Sequence, residues 1–544
     1  MGSGEENGVQ GSPEPYVVRG ALRKRFMVQK IRLDDVAVTK YLQTCDIPVE
    51  EFRGEPFTLV IFGGTGDLSR KKLLPAVYHL LLENELPEQF SILGVGGSQL
   101  GEEQYRALIE RALRGSDEVC FNGEKWVEFA RHLFYLSGNL EEEGTYQKLC
   151  SRLDQMVVPT REGHKDVVYY MALPPQTTPT VVNLLNRHGL CRGPMNTKII
   201  VEKPFGKDLS SAAQLNRLLT AAFDERQIYR IDHYLGKETV QNIIFFRFSN
   251  SIFEQIWNRR YIDNVQITVA EDIGIDGRAR FYEQAGVIRD IVQNHILQLI
   301  GLIAMEPPVG FEADFIRDEK TKVFRSLHPM RGERVDRFTV IGQYGPGKIN
   351  GKEVPGYRQE KGVSTDSPTA TFFAGAFYIA NWRWAGVPFY VRTGKRMARR
   401  VTEIAIQFEQ PPLKLFGRTC DTLEPNILLL TIQPEEKISL RFGVKVPHMA
   451  NQIYPIDMKF SYQDTFQAPP SPAYERLVLD CLKGDLTLFV RQDQIEAMWE
   501  AVDPIIASWE NQPAKNFPNY AAGTWGPAEA NRLLEKEGRG WITS

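Results

Sequence analysis

No two of the six cysteines, Cys45, Cys120, Cys150, Cys191, Cys420 and Cys481, are close enough for a CxxC pair, and none has zinc-ligand spacing to a histidine. The sequence therefore holds neither a thioredoxin-like redox motif nor a metal-ligand cluster. The thiols are read as reduced, in a reducing compartment. No apolar run approaches the ~20 residues needed to span a bilayer. The opening Met1-Gly2-Ser3-Gly4-Glu5-Glu6 carries acid where a secretory leader carries basic residues and then an apolar core. The expected location is cytoplasmic, with no membrane partner. Neither sign of charge is in excess: 65 Lys and Arg against 68 Asp and Glu leave a net charge of -3. No electrostatic argument then favours nucleic acid or an anionic surface as partner. Internal repeats and low-complexity core segments are also missing.

What is present is globular. Hydrophobic residues make up 42% and charged residues 24%, and 544 residues are too many for one core. Two domains are expected. Residues 1–53 read as a flexible or poorly defined extension: Gly, Ser and Glu dominate up to Pro15, and no firm pattern follows. From Pro56, short buried-type runs alternate with amphipathic stretches. Strands are predicted at Phe57–Phe62, Phe90–Gly94, His132–Tyr135, Asp166–Met171 and Lys198–Val201. Helices are predicted at Leu68–Leu82, Gln104–Leu113, Glu143–Gln155 and Thr178–Asn186. This alternation predicts an α/β Rossmann-type domain, a doubly wound parallel sheet, over 54–231. Helices at Thr239–Phe245 and Val287–Ile303 follow. Then come alternating strands at Asn264–Ala270, Glu403–Phe408, Ile427–Gln433, Ile438–Gly443 and Met458–Tyr462, and helices at Tyr474–Leu482 and Asp493–Ser508. Residues 232–544 are thus expected to form a larger α+β domain on a large antiparallel sheet.

Gly63-Gly64-Thr65-Gly66-Asp67-Leu68 falls between the first strand and the first helix, where a phosphate-binding turn belongs. Gly63 permits the turn, Gly66 lets backbone N–H groups approach a pyrophosphate, and the helix start adds partial positive charge. The spacing is GxxG, so a glycine-rich turn without ligand stays open. The second strand ends in Gly94-Val95-Gly96-Gly97-Ser98, with neither the acid that binds a ribose 2′-hydroxyl nor an arginine for a 2′-phosphate. Arg70, Lys71 and Arg106 are nearby in sequence.

Two stretches of the second half are dense in reactive groups. In Arg230-Ile-Asp232-His233-Tyr234-Leu-Gly-Lys237-Glu238, a helix would face His233 and Lys237 the same way, which suits a phosphate monoester. A solvated helix with an incidental histidine is the plain alternative. In Ile288-Arg-Asp290-Ile-Val-Gln293-Asn294-His295, apolar neighbours drag polar groups inward, where they need partners. His295 is either a structural core histidine or the centre of a cleft. On an α-helix Asp290 and His295 point roughly 140° apart, so a carboxylate from elsewhere is better placed to orient the imidazole.

Together Gly63-Gly-Thr-Gly-Asp-Leu68, Glu202-Lys-Pro-Phe-Gly206, Arg230 to Glu238, Ile288 to His295, Val387-Pro-Phe-Tyr-Val-Arg-Thr-Gly-Lys395 and Gly526-Pro-Ala-Glu-Ala530 resemble, in order, the signature segments of glucose-6-phosphate dehydrogenases. The resemblance spans residues ~57 to ~530, and its most specific segment is Arg-Ile-Asp-His-Tyr-Leu-Gly-Lys. It implies hydride transfer from the anomeric carbon of glucose 6-phosphate to NADP or NAD, giving 6-phosphoglucono-δ-lactone, the first oxidative step of the pentose phosphate pathway. It implies His295 as general base and Asp232 as its orienting carboxylate. His233, Tyr234 and Lys237 would bind the 6-phosphate, and Glu271, Asp290 and Lys395 the sugar. Lys203 would lie between sugar and nicotinamide. Gly63, Gly64, Thr65, Gly66, Asp67 and Leu68 would hold the cofactor, with Pro204 and Ala172-Leu-Pro174-Pro175 shaping the nicotinamide pocket. It also implies a homodimer or homotetramer through the large sheet. Gly97 stands where many NADP-using members have arginine, which predicts weakened 2′-phosphate recognition and use of both cofactors, or of NAD. A catalytically silent nucleotide-binding paralogue is the alternative, although every role residue is present.

Overall fold

The computed structural model describes residues 54–192, 195–413, 423–449, 452–466, 472–512 and 516–543. The extension 1–53, with Cys45, and Cys420 lie outside them. Residues 49–461 and 471–544 cluster as one compact unit. Helix Tyr462–Phe466 falls in a second unit.

The first half holds six strands: β1 (Phe57–Phe62), β2 (Phe90–Gly96), β3 (Leu133–Ser137), β4 (Lys165–Met171), β5 (Met195–Val201) and β6 (Ile228–Arg230). All pair in parallel, in the order β3-β2-β1-β4-β5-β6. Every residue of β1 is buried, the pattern of a strand covered by helices on both faces. The order reverses between β1 and β4, and ligands of open α/β sheets bind in the crevice at such a switch point. The expected doubly wound sheet is present. Helices Gly123–Ala130 and Leu209–Ala222 were not expected. Each begins on a side-chain cap: Asn122 Oδ1 accepts the N–H groups of Glu124 and Lys125, and Asp208 Oδ1 that of Ser211.

The second half is built on an eight-stranded sheet, in spatial order Ile453–Ser461, Lys437–Lys445, Ile427–Gln433, Val401–Phe408, Ile262–Ala270, Phe389–Gly394, Phe372–Phe377 and Thr339–Gly342. Its pairings are antiparallel except one: Ile262–Ala270 runs parallel to Phe389–Gly394. The large antiparallel sheet expected here is present, with this one parallel pairing. Phe372–Phe377 and Phe389–Gly394 are buried throughout, so the alternation that marks a half-wet strand is absent from them.

The predicted helix Val287–Ile303 resolves into three parts. Helix Ala279–Val287 contains Gly286 at φ 60, ψ 176, a π-helix covers Ile288–Ile296, and an α-helix covers Leu297–Ala304. Among the described residues, Ala279–Ala304 is the one helical run long and apolar enough to cross a membrane, and it is almost wholly buried within the molecule. The segment after Arg230 is no helix. Asp232 Oδ1 accepts the Tyr234 N–H at 3.0 Å, and the Leu235 N–H donates to the Asp232 carbonyl. This side-chain turn competes with helix formation, and the helix begins only at Glu238.

Candidate active site

The turn after β1 packs against the end of β4. Gly63 has φ +85, and a Cβ on it would stand 2.3 Å from the Ala172 carbonyl oxygen. A Cβ on Gly64 would stand 2.6 Å from Gly94 Cα. Only glycine fits either position. The N–H groups of Gly63 and Gly64 both donate to the Val95 carbonyl, and that of Gly66 donates to Gly63. The Gly66 N–H is thus engaged in closing the turn. Thr65 Oγ1 meets Ser98 Oγ at 3.1 Å, tying the turn to the end of β2. Asp67 is paired with Arg70 at 2.6 Å and Lys71 at 3.0 Å, and the Lys71 hydrogen bond lowers its carboxyl. Leu68 leads into a π-turn at Ser69–Leu73. Pro174 accepts the Thr177 N–H just before helix Thr178–Arg187. Gly97 is exposed, and a Cβ there would meet nothing within 4 Å. Gly63, Gly64 and Ala172 form a close-approach cradle at the switch point, which fits a dinucleotide.

The second cluster centres on His295, which is 1% exposed. Its Nδ1 lies 2.5 Å from Asp232 Oδ1, so the neutral ring carries its proton on Nδ1 and presents the Nε2 lone pair. Lys203 Nζ donates to that Nε2 at 2.8 Å and to the Asp290 carbonyl at 3.1 Å, and pairs with Asp290 Oδ1 at 3.4 Å. Asp290 and His295 both reach Lys203 because the π-turn bonds residues five apart and returns them to nearly one face. The 140° divergence of an α-helix does not apply. The partner of Nδ1 is nonetheless Asp232.

Burial favours the uncharged form of both members of the pair. It raises the Asp232 carboxyl, but the adjacent His295, then His233 and Lys203, more than offset this and hold it well below the usual carboxylate range. Burial lowers His295, Asp232 opposes, and Lys203 adds to the lowering, leaving it below its ordinary 6.5. The ring is therefore an unprotonated base at neutral pH, poised beside a fixed negative charge.

The remaining expected residues surround this pair. The Tyr234 ring stacks on His295 with centroids 4.1 Å apart, and the His233 ring meets it edge-on at 4.6 Å. Lys237 Nζ sits 4.2 Å from the Tyr234 ring centroid. Burial, then the charge of Arg400, bring Lys237 down to about 8. Lys395 Nζ pairs with Glu271 at 2.7 Å. Burial raises Asp290, but Lys203, Lys395 and His295 together hold it below its ordinary value. Among the described residues no group of three or more His, Cys, Asp or Glu side chains is placed to hold a metal ion. A cavity of about 760 Å³ lies behind Gly286, lined in part by Arg289, Trp509 and Arg532, and includes none of the clustered residues named above.

Three neighbours were not expected. Glu202 accepts from Tyr170 Oη at 2.6 Å, and burial raises its carboxyl while Tyr170, Lys203 and Tyr474 oppose. The Tyr474 ring lies parallel to His233 at 6.3 Å. The charge of Arg400 acts on Lys237. Tyr474 and Arg400 are remote in sequence from what they face, and only the basic run Lys395, Arg396, Arg399 and Arg400 gave a signal.

Residues 60–242 match the family described as glucose-6-phosphate dehydrogenase, NAD binding domain, and residues 244–542 its C-terminal domain. Glucose-6-phosphate 1-dehydrogenase of Aggregatibacter actinomycetemcomitans is 44% identical over 490 residues, covering 90% of this chain and 98% of the relative. A glucose-6-phosphate dehydrogenase solved with its substrate glucose 6-phosphate superposes with a TM-score of 0.81 at 33% identity, over 90% of this chain and 99% of that one. Glucose-6-phosphate 1-dehydrogenase from Mycobacterium avium superposes with a TM-score of 0.75 at 34% identity, over 90% and 99%.

Proposed function

The chain belongs to the glucose-6-phosphate dehydrogenase family, and from that premise we propose that His295, oriented by Asp232, is the base that opens the oxidation of glucose 6-phosphate. The activity is that of a glucose-6-phosphate dehydrogenase using NADP, NAD or both. The observation that carries the residue assignment is the 2.5 Å contact between His295 Nδ1 and Asp232 Oδ1, which leaves Nε2 as a proton acceptor.

The nicotinamide ring, when bound, supplies the hydride acceptor, and Gly63, Gly64, Thr65, Gly66, Asp67, Leu68, Ala172, Pro174 and Lys203 would hold the cofactor. Nε2 of His295 takes the proton of the anomeric hydroxyl, and Asp232 stabilises the imidazolium that forms. Lys203 gives up its bond to Nε2 and turns its ammonium to the sugar. Asp290, Glu271 and Lys395 fix the sugar hydroxyls. His233, Tyr234 and Lys237 grip the 6-phosphate, whose negative charge suits a buried lysine. Residues 54–231 carry the cofactor, and residues 232–544 carry substrate binding and oligomerisation. Assembly into a homodimer or homotetramer is supported by Tyr454, Ile456 and Met458, exposed apolar residues on the outermost strand of the large sheet. A monomer by light scattering would refute it. A cytoplasmic location accords with Cys120, Cys150, Cys191 and Cys481, all free thiols.

Steady-state reduction of NADP and of NAD at saturating glucose 6-phosphate tests the whole reading. Both cofactors are expected to work, because Gly97 offers no cation to a 2′-phosphate. The open space at Gly97 admits a side chain, so Gly97→Arg should raise the NADP-to-NAD ratio of kcat/KM about tenfold or more, roughly 1.4 kcal/mol. Reduction of neither cofactor would sink the assignment, and an unchanged ratio in Gly97→Arg would sink the explanation.

The pH dependence follows from the two shifts. His295 acts when neutral, and its folded pKa is lowered, so the acid limb of kcat/KM should lie below pH 6.5. Lys237 acts when charged, and it loses its proton as pH rises through about 8, so kcat/KM should fall on the alkaline side from there. A profile flat to pH 10 would remove Lys237 from phosphate binding.

A further inference from the structure

Among the described residues, a second buried histidine–carboxylate pair lies apart from His295 and Asp232. His79 and Glu475 are 6% and 8% exposed, and His79 Nδ1 stands 2.6 Å from Glu475 Oε2. A glutamate is almost never buried unless it is paired. The pair joins the two halves of the chain. His79 is on helix Leu74–Leu82, which continues from the π-turn that follows Gly63–Leu68. Glu475 is on helix Ala473–Lys483, and the two helices pack together. Helix Ala473–Lys483 also walls the turn Asp232–Lys237. The Tyr474 ring lies parallel to that of His233, with centroids 6.3 Å apart. A Cβ on Gly236 would stand 2.6 Å from the Ala473 carbonyl oxygen, so the first turn of the helix touches the backbone between Tyr234 and Lys237. The far end of the helix is tied to β5, where Lys198 Nζ donates to the carbonyls of Cys481 at 2.8 Å and Leu482 at 3.1 Å. The near end has no side-chain cap, and the His79–Glu475 contact ties it to the parallel-sheet half.

We propose that His79 and Glu475 are positioning residues for glucose 6-phosphate: their contact fixes the first turn of helix Ala473–Lys483, and with it Tyr474 and the turn that carries His233, Tyr234 and Lys237. The inference rests on the phosphate role given above to those three residues. Both members of the pair act through the helix rather than by touching the substrate. The contact depends on charge. Burial, the largest influence, lowers His79, but Glu475 across the helix contact and Glu83 at the end of its own helix more than offset it and raise it above its ordinary 6.5. The ion pair is therefore whole below pH 6.5 and is lost as pH rises through the raised folded value. Tyr474, next to Glu475, is raised by burial and by the carboxylates Glu202, Asp232 and Glu118, so it stays a neutral phenol throughout.

The test is KM for glucose 6-phosphate from about pH 6 to about pH 9 in Glu475→Gln and in the paired variant His79→Leu/Glu475→Met. The first removes the charge and keeps the shape. The second removes both partners, since an apolar pair of similar volume commonly preserves a fold that one buried unpaired charge would break. Each KM is divided by that of the unaltered enzyme at the same pH, which cancels the titration of Lys237 and of the substrate phosphate. Glu475→Gln should raise KM about fivefold at about pH 6 and less than about twofold at about pH 9, with kcat within about twofold throughout. In the paired variant, which has no ionisation to lose, the KM ratio should fall about threefold or more over the same range. A ratio that does not change with pH would mark the pair as merely structural and overturn the inference. Lys237→Met separates the two readings, since it should raise KM about tenfold or more by removing a charged phosphate donor. An unchanged KM there would overturn the phosphate reading and this inference with it, whereas a raised KM beside flat ratios would overturn the inference alone.

Discussion

Replacing His295 by asparagine is expected to cut kcat about 10²–10⁴-fold while KM for glucose 6-phosphate stays within about threefold. The size follows from what is removed. Asparagine can still reach toward Asp232, but it has no basic nitrogen to accept the anomeric proton. Binding should survive because His233, Tyr234 and Lys237, the groups proposed to hold the phosphate, belong to the turn after β6 and the start of the next helix, not to the π-helix. The control is Asp232→Asn, which keeps a polar contact to Nδ1 but removes the negative charge that stabilises the imidazolium. The two losses should be far from additive, since the residues act as a unit. An asparagine enzyme turning over at near-normal rate would end the assignment of His295 as base.

The second large effect is expected at Gly63. Alanine there must adopt φ +85, which costs an L-residue about 1–2 kcal/mol. Its methyl must also occupy a point 2.3 Å from the Ala172 carbonyl oxygen, an atom of backbone that no rotamer change can move aside. The turn and the end of β4 have to separate, which opens the crevice where the dinucleotide is expected. Gly63→Ala should lower kcat/KM for the cofactor about a hundredfold or more, equivalent to ~2.7 kcal/mol. The dissociation constant of glucose 6-phosphate, read by protein fluorescence, should move by less than about threefold. Gly97→Ala is the matched comparison: its methyl meets open space and should change neither quantity. Normal cofactor kinetics in Gly63→Ala would show that the turn is not in the dinucleotide path.

Much of this architecture is legible in the sequence because parallel strands buried on both faces must be written as continuous apolar runs. Phe57–Phe62 coincides with its predicted bounds, and so does the antiparallel strand Ile427–Gln433 of the large sheet. Amphipathic helices such as Glu143–Met156 declare themselves by spacing, and their ends shift by a residue or two. Where tertiary contacts choose the local structure, periodicity misleads. The segment Ile288–Ile296 has the composition of a buried α-helix, and nothing local says that its turns widen to the π register. That one difference brings Asp290 and His295 to a common partner. The turn at Asp232–Lys237 is set partly by Gly236, where a Cβ would stand 2.6 Å from the Ala473 carbonyl, a neighbour more than two hundred residues away. Tyr474 and Arg400 were out of reach for the same reason: each is ordinary on its own element and acquires meaning only from what it faces. The resemblance to a known family supplied the pairing of His295 with Asp232, which helical geometry alone could express only as a need for some outside carboxylate.

The outer edge of the parallel sheet has a consequence for how the chain is made. β6 is three residues long and is the last strand of its sheet, and what lies along it comes from far down the chain. Ile231 bridges Phe489, the Val490 N–H donates to the Arg230 carbonyl, and Glu225 accepts from both Arg230 and the Gln492 N–H. On a ribosome the first five strands can pair as they emerge, but the edge stays open until about 260 further residues have been translated. At roughly 5–20 residues per second that is an interval on the order of tens of seconds. Throughout it a nascent sheet presents unpaired backbone groups to its surroundings, the kind of template that invites pairing with another chain. Closure of that edge is therefore tied to translation speed, and a pause site placed before residue 489 would lengthen the exposure.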